Sequence, residues 1–416
     1  MSNMSFDPVC ITGVGITTGN GQGKEAVMSA LYNAEHRFGY MQRPGRQLPS
    51  LQAQGPAEGF IGSEIQELVM PAAISSQLLR NTSFTAQVAL ATLSEAWDEA
   101  NLAEVDPSRI GLIIGGSNVQ QRDQTLAKDR LVGKERFVRP THAMSFMDTD
   151  IAGLCSEAFG IKGFAYSLGG ASASGQLAVI KAKQAVDSGL VDVCIAVGAL
   201  MDLSYWECQS LRSLGAMGST LFADNPELAC RPFDTRHDGF IYGESCAAIV
   251  VERVKSISRQ LPAPKIYISG VGLCSDGNRQ PHPSLEGEVT GIQQAMAQAQ
   301  LTASDINYVN PHGSGSVIGD EVEVAALNEC GLTDAHINTT KSIVGHGLSA
   351  AGAVEIAVTV EQMKRNKLHP SRNLVAPIDG TLPWVVDSAA EVEINNAMSL
   401  SLGFGGINTA ICLSKT

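Results

Sequence analysis

The chain has 416 residues, more than a single hydrophobic core usually serves, so we expect two domains or one large fold built from two similar halves. Apolar residues make up 44%, aromatic residues only 5%, and the 42 glycines indicate many tight turns, which favours an α/β enzyme over an all-β fold. The net charge of -13 argues against nucleic acid and anionic membranes as partners.

The N-terminal segment MSNMSFDPVCITGVG has neither a basic region nor a long apolar run. No stretch of the sequence reaches the roughly 18 apolar residues needed to span a bilayer. We therefore predict a soluble, cytoplasmic protein. The nine cysteines form no C-x-x-C pair, so we expect buried small side chains rather than a zinc site, a redox couple or a disulfide framework.

Two short motifs recur along the chain and predict an internal repeat. CITGVG at 10–15 is matched by YISGVG at 267–272, and each has the pattern of a short strand that ends in a glycine turn. SASG at 172–175 and SAAG at 349–352 each lead into a helical pattern. Because the two pairs have unequal offsets, the first half should contain a large insertion.

Apolar runs of strand length alternate with helical patterns, which predicts sheets sandwiched between helices. These runs lie near residues 109–116, 191–199, 245–252 and 409–414. We expect the charged stretch 120–140 to be exposed within the insertion. The stretch 256–265 has two prolines and no apolar period, so it is the best boundary between the halves.

Four segments together resemble the signature blocks of the beta-ketoacyl synthases of the thiolase superfamily. They occur in the family's order and spacing, and they are RPFDTRHDGFIYGES (231–245), NPHGSGSVIGDEVEVAAL (310–327), KSIVGHGLSAAGAVEI (341–356) and SLGFGGINTAICL (401–413). With ITGVG near the N-terminus and FGIKG at 159–163, the resemblance spans essentially the whole chain. It implies a thiolase-like α/β fold of two similar halves in a layered α-β-α-β-α arrangement, divided into residues 1–256 and 257–416.

The family's condensing cysteine is replaced by serine in this chain. Counting from Gly163 of FGIKG and from Gly189 of DSGLVDVCIAVGA places the nucleophile position at Ser172, and no cysteine lies between Cys155 and Cys194. A helix N-terminus can lower a thiol pKa of about 8.5 enough to form a thiolate, whereas a hydroxyl needs a positioned general base. Three roles stay open for Ser172: a packing residue, part of an oxyanion hole, or a site of acylation.

The resemblance also assigns roles around this position. His312 and His346 match the histidine pair that assists malonyl decarboxylation in the family, and Lys341 would pair with Glu355 to fix their geometry. Asp320 is expected to hold its own loop together rather than to contact substrate.

The oxyanion hole implied by the resemblance consists of the backbone N–H groups of Ser172 and Phe404, with Phe404 in the flexible GFGG loop that gates the pocket. Ser314 and Ser316 occupy positions where family hydroxyls bind the phosphopantetheine arm. No metal and no freely bound organic cofactor are implied.

The family docks an acidic acyl carrier protein on a basic patch near the pocket mouth, and Lys134, Arg136 and Arg139 form the most basic cluster before the Ser172 helix. His237 departs from the family pattern, which usually has arginine there, and this puts a charged contact near the dimer or pocket region in doubt.

These features together predict a homodimeric, ketosynthase-like enzyme that decarboxylates malonyl-acyl carrier protein to acetyl-acyl carrier protein without condensation. Proteins of this kind resemble members of the beta-branching cassettes of polyketide and antibiotic biosynthesis. Two alternatives stay open: a non-catalytic, chain-length-factor-like partner of a heterodimeric synthase, and a serine-dependent acyltransferase or condensing enzyme. Retention of both histidines and Lys341 favours the decarboxylase.

Overall fold

The structure, a computed structural model, describes residues 8–48, 59–259 and 265–416. Its α-helices are α1 (Lys24–Tyr32), α2 (Phe84–Glu99), α3 (Gln121–Leu131), α4 (His142–Ser145), α5 (Thr149–Phe159), α6 (Ser174–Asp187), α7 (Tyr205–Ser213), α8 (Pro226–Ala229), α9 (Leu285–Ala299), α10 (Val317–Glu329), α11 (Lys341–Val344) and α12 (Ala351–Arg365). Its strands are β1 (Val9–Thr18), β2 (Gly21–Gln22), β3 (Phe38–Tyr40), β4 (Ile61–Ser63), β5 (Ile110–Gly115), β6 (Phe164–Leu168), β7 (Val193–Gly198), β8 (Tyr242–Gly243), β9 (Ser245–Arg253), β10 (Ile266–Ser275), β11 (Tyr308–Asn310), β12 (His336–Ile337), β13 (Lys367–Leu368), β14 (Ala390–Glu391), β15 (Asn396–Gly403) and β16 (Ile407–Lys415).

The main sheet shows the internal repeat directly. Its strand order is β12-β11-β15-β16-β10-β1-β9-β7-β5-β6, with β1 and β10 paired antiparallel at the centre. Outward from that centre, each half has two antiparallel pairings followed by two parallel pairings. The α/β fold of two similar halves is therefore confirmed.

Equivalent glycines explain why helices lie so close to β1 and β10. A Cβ atom on Gly13 would lie 2.3 Å from the carbonyl oxygen of Ala96 in α2, and one on Gly270 would lie 2.1 Å from that of Ala295 in α9. Each β-bulge also falls at the equivalent place, before Gly13 and before Gly270. The recurring I-x-G sequence thus encodes the same helix-on-strand contact in both halves.

Helices α6 and α12 pack against each other in the core and bring the two halves of the site together. Their N-terminal turns are in close contact, since a Cβ atom on Gly175 would lie 2.8 Å from the backbone nitrogen of Ala353. Ser172 comes just before α6 and His346 just before α12. The contact between these helix ends therefore positions residues that are distant in sequence at a shared cavity.

The strand-length runs and both helical patterns are confirmed by β5, β7, β9, β16, α6 and α12. The charged stretch 120–140 is largely exposed, but it contains the helix α3, which its weak apolar periodicity did not predict. Residues 260–264 of the expected boundary lie outside the described residues. Within the described ranges, no helix is both long and apolar enough to cross a membrane.

Candidate active site

A cavity of about 820 Å³ is lined by six of the twelve residues that the sequence predicted for the site. Those lining it are Ser172, His312, Ser314, Ser316, His346 and Phe404. Lys341, Glu355 and Asp320 do not line it and lie buried behind its wall.

Ser172 lies in the turn between β6 and α6. The preceding residue, Ala171, has a left-handed φ of 47°, which marks a sharp turn immediately before helix α6. Ser172 is half-buried, and within the described part of the chain no hydrogen bond involves its Oγ atom. Among the described residues, no general base is therefore hydrogen-bonded to this hydroxyl.

The GFGG loop between β15 and β16 packs against this turn. A Cβ atom on Gly403 would lie 2.3 Å from the carbonyl oxygen of Gly170, so only glycine allows the approach that brings Phe404 next to the Ser172 segment. Gly405 and Gly406 have φ values of 93° and 80°, and the Phe404 side chain is 45% exposed. This arrangement suits a side chain that can swing at the cavity wall.

One backbone hydrogen bond and one hydrogen bond to the imidazole ring fix the position of His346. Its N–H donates to Ile241 O at 2.8 Å, and its Nδ1 atom accepts the Leu348 N–H at 3.2 Å. The Phe240 ring meets it edge to face, with 5.1 Å between centroids. Because Nδ1 accepts, the proton of the neutral ring is on Nε2.

His312 follows β11 and is held from two sides. Glu323 in α10 accepts the N–H groups of His312 at 2.5 Å and of Gly313 at 2.7 Å. The Lys341 ammonium lies 3.5 Å from Nδ1 and also donates to the His312 carbonyl oxygen. An ammonium group only donates, so Nδ1 accepts here as well and Nε2 bears the proton.

The two imidazoles lie next to each other, with 5.3 Å between ring centroids and an angle of 81° between their planes. Lys341 pairs with Glu355 of α12, and both side chains are almost fully buried. Burial first, and then the Lys341 charge, hold the pKa values of His312 and His346 well below the usual range, so both rings are neutral at pH 7. The site thus presents two neutral Nε2–H donors.

Asp320 accepts hydrogen bonds from two backbone N–H groups and contacts the His237 ring. It accepts the N–H groups of Phe233 at 2.7 Å and Gly315 at 3.0 Å, and its Oδ2 atom lies 3.0 Å from His237 Nδ1. His237, the departure from the family pattern, therefore makes a buried contact within its own chain. Next to it, the hydroxyls of Ser314 and Ser316 are 2.9 Å apart on the cavity wall.

The structure does not bring the predicted carrier-docking residues to this cavity. Lys134, Arg136 and Arg139 are exposed, and none of them lines it. Arg139 instead lines a separate cavity of about 600 Å³ next to Phe137. These basic residues lie in the charged insertion, whose placement depends on contacts that sequence spacing does not encode.

Sequence reasoning missed several carboxyls of the site, of which Glu323 and Glu288 matter most. Glu323 lies one helical turn after Asp320, so i, i+3 spacing in α10 could have placed both on one face. Glu288 of α9 also lines the cavity. No motif surrounds it in the sequence, so only the packing of α9 on β10 and β16 reveals it.

Comparison with known proteins agrees with this geometry. Residues 6–256 match the family model for the beta-ketoacyl synthase N-terminal domain, and residues 266–375 match that for the C-terminal domain. The chain is 53% identical to the "Polyketide biosynthesis malonyl-ACP decarboxylase PksF" of Bacillus subtilis, covering 100% of this chain and 98% of that protein. It is 29% identical to the "3-oxoacyl-[acyl-carrier-protein] synthase 1" of Haemophilus influenzae, with 97% and 98% covered.

A solved beta-ketoacyl synthase from Burkholderia phymatum superimposes on the chain with a TM-score of 0.86 at 26% identity, covering 99% of this chain and 100% of that one. Together the two family models cover the segments that hold Ser172, His312 and His346. The chain therefore belongs to the beta-ketoacyl synthase family.

Proposed function

We propose that this chain decarboxylates malonyl-acyl carrier protein to acetyl-acyl carrier protein, without condensation, in a beta-branching step of polyketide biosynthesis. The relative from Bacillus subtilis that shares 53% identity bears the name of a malonyl-ACP decarboxylase, which supports this reaction. The observation that carries the proposal is the pair of neutral, fixed Nε2–H donors beside a serine that has no base.

Loss of carbon dioxide from malonyl leaves a thioester enolate, whose oxygen gains negative charge. The Nε2–H groups of His312 and His346 supply two hydrogen bonds to that oxygen, and burial makes each of them stronger than in water. Because Lys341 and the Leu348 N–H fix the tautomers, the donors are oriented before the reaction begins. One such donor is worth about 3 kcal/mol in comparable enzymes.

The absence of an activated nucleophile accounts for the missing condensation. No described group accepts a hydrogen bond from Ser172 Oγ, and a helix N-terminus cannot ionise an aliphatic hydroxyl. Without an acyl-enzyme the enolate has no electrophile to attack. It is therefore protonated, which gives the acetyl thioester.

An acyl carrier protein is the partner that this chemistry requires, with its phosphopantetheine arm between Ser314, Ser316 and the Ser172 turn. We assign the oxyanion hole to the backbone N–H groups of Ser172 and Phe404, supported by the close packing of Gly403 on the same turn. No metal or freely bound cofactor enters the proposed reaction, and we place it in the cytoplasm.

A homodimer also forms part of the proposal, supported by the edge of the main sheet. Strand β6 is the last strand in the order, and its Tyr166 side chain is 42% exposed. The adjoining segment presents Phe146 and Met147 at 56% and 47% exposure, and Ser167 Oγ joins it to β6 through a hydrogen bond to Asp148 O. An exposed edge strand beside an apolar patch favours pairing with a second copy of the chain.

The reaction is tested by incubating the purified chain with malonyl-loaded carrier protein and following the intact mass of the carrier. We expect conversion to the acetyl form. His312→Ala or His346→Ala should lower the rate by about 10²- to 10³-fold, whereas Ser172→Ala should change it little. His142→Ala, which changes a histidine that does not line this cavity, is the matched control. No conversion by the unmodified chain would instead favour a non-catalytic, chain-length-factor-like subunit.

A further inference from the structure

Glu288 is a buried carboxyl on the cavity wall that the mechanism above leaves unused. It is 3% exposed and lines the same cavity as His312 and His346. Among the described residues its Oε1 atom has no hydrogen-bond partner. An ionised carboxylate in such a place would be costly, so the neutral acid is favoured.

The charged groups that act on Glu288 are all acidic. Glu323 and Asp320 face it from α10, and Asp276 faces it from the end of β10. From β16 the neighbour is Asn408, a neutral amide that donates to Asp276 at 2.6 Å. Each neighbouring carboxylate further opposes ionisation of Glu288.

Hydrogen bonding distinguishes Glu288 from its acidic neighbours. Glu323 accepts two backbone N–H groups, which favour its carboxylate form, although burial still raises the Glu323 pKa to about 8. Among the described residues, none donates a comparable hydrogen bond to Glu288 Oε1. Burial, and then the charge of Glu323, raise the pKa of Glu288 to about 9. Glu288 has the higher pKa of the two acids and lines the cavity, whereas Glu323 does not line it, so at pH 7 Glu288 is the protonated acid that faces the cavity.

Decarboxylation also requires a proton donor, and the two histidines do not provide one. When the bond to the malonyl carboxylate breaks, its electron pair forms the enolate and carbon dioxide leaves. The enolate carbon that carried the carboxylate must then take a proton. His312 and His346 are neutral, with lowered pKa values, so at pH 7 they donate hydrogen bonds but are not acids of useful strength.

We propose that Glu288 is the general acid that delivers this proton, directly or across one water molecule, to the enolate carbon. The Glu288 O–H bond breaks as the new C–H bond forms, giving the acetyl thioester and a Glu288 carboxylate. Water from the cavity mouth then restores the proton. Overall, malonyl thioester and one proton give acetyl thioester and carbon dioxide. The inference rests on the proposed decarboxylase function.

The test compares Glu288→Gln with Glu286→Gln, a matched change at an exposed carboxyl of the same helix. Decarboxylation of malonyl-carrier protein is followed from pH 6 to pH 10. We expect Glu288→Gln to lower the rate at pH 7 by about 10²-fold or more. The unmodified chain should lose activity as pH rises through about 9, and Glu288→Gln should lack this decline. Glu286→Gln should behave like the unmodified chain.

Deuterium exchange tests the same step in reverse. When acetyl-carrier protein is supplied in D₂O, the unmodified chain should exchange deuterium into its methyl group. Glu288→Gln should do so at least about 10-fold more slowly. A Glu288→Gln variant that keeps the normal rate, or that is slowed equally at every pH, overturns the proposed acid while leaving the decarboxylase intact. Absence of any decarboxylation by the unmodified chain overturns the proposed function itself.

Discussion

Lys341 connects the histidine pair to the core, since it contacts His312 on one side and Glu355 on the other. Burial raises the pKa of Glu355 to about 7 although Lys341 opposes this shift. The ion pair between Lys341 and Glu355 is therefore poorly solvated, and its main effect is to orient His312. The sequence motif predicted these partners because each lies in a signature segment.

Lys341→Met should lower the free energy of unfolding at pH 8 by about 3 kcal/mol, because Glu355 is left buried without its partner. Urea unfolding measures the change. Lys367→Met removes a partner from an exposed ion pair with Glu391 and should cost less than about 1 kcal/mol. Equal losses in the two variants would contradict the role given to burial.

Glu288→Gln should make the protein more stable at pH 8 while making it less active. The pKa of Glu288 rises from 4.5 to about 9 on folding, so between these values the folded state holds a proton that the unfolded state has lost. This contribution is complete below pH 4.5 and is lost as pH rises through about 9, at up to about 1.4 kcal/mol per pH unit. Chemical unfolding from pH 5 to pH 8 should show a shallower pH dependence in Glu288→Gln. Parallel pH profiles would show that Glu288 is not protonated in the fold.

At the scale of elements, the repeat is the feature that the sequence predicted best. The matched glycine motifs at 10–15 and 267–272 became equivalent strands, because a helix must approach each of them at the same point. Spacing could not predict α3, whose stability comes from tertiary contacts rather than from an apolar period. One such contact is the buried Arg122 side chain on Asp202. The same limit applies to Glu288, which reaches the site only through the packing of α9.

Gly270→Ala tests the helix-on-strand contact. The added methyl would lie 2.1 Å from Ala295 O, so we expect a loss of about 1–3 kcal/mol in unfolding free energy. Gly153→Ala is the control, since no atom beyond its chain neighbours and its own helix backbone lies within 4 Å of the added methyl, and alanine favours a helix by up to about 1 kcal/mol. Thermal unfolding of both variants measures the difference. A neutral Gly270→Ala would contradict the tight contact.

At the scale of the whole molecule, β6 leaves the main sheet with an edge that a second copy could extend. Tyr166→Lys places a charge on this edge and should shift the chain from dimer to monomer in light scattering. Val375→Lys, at another exposed apolar position, should leave the assembly unchanged. A chain that is monomeric before any substitution would contradict the proposed dimer.

The carrier-docking surface stays a prediction at this scale. Lys134, Arg136 and Arg139 are exposed in the insertion and do not line the catalytic cavity, but docking near its mouth does not require them to do so. Local charge clusters are visible in a sequence, but their position relative to a cavity depends on the complete packing.

We infer that the change from the family's cysteine to Ser172 removes the acyl-carrying half of the family's chemistry, while the histidine pair keeps the decarboxylating half. The most direct measurement is the intact mass of the protein itself during turnover of malonyl-carrier protein, compared with that of Ser172→Cys, which restores the family's thiol. We predict that the unmodified chain gains no mass while the carrier becomes acetylated, and that Ser172→Cys gains an acyl group. An acyl adduct on Ser172 would contradict the claim.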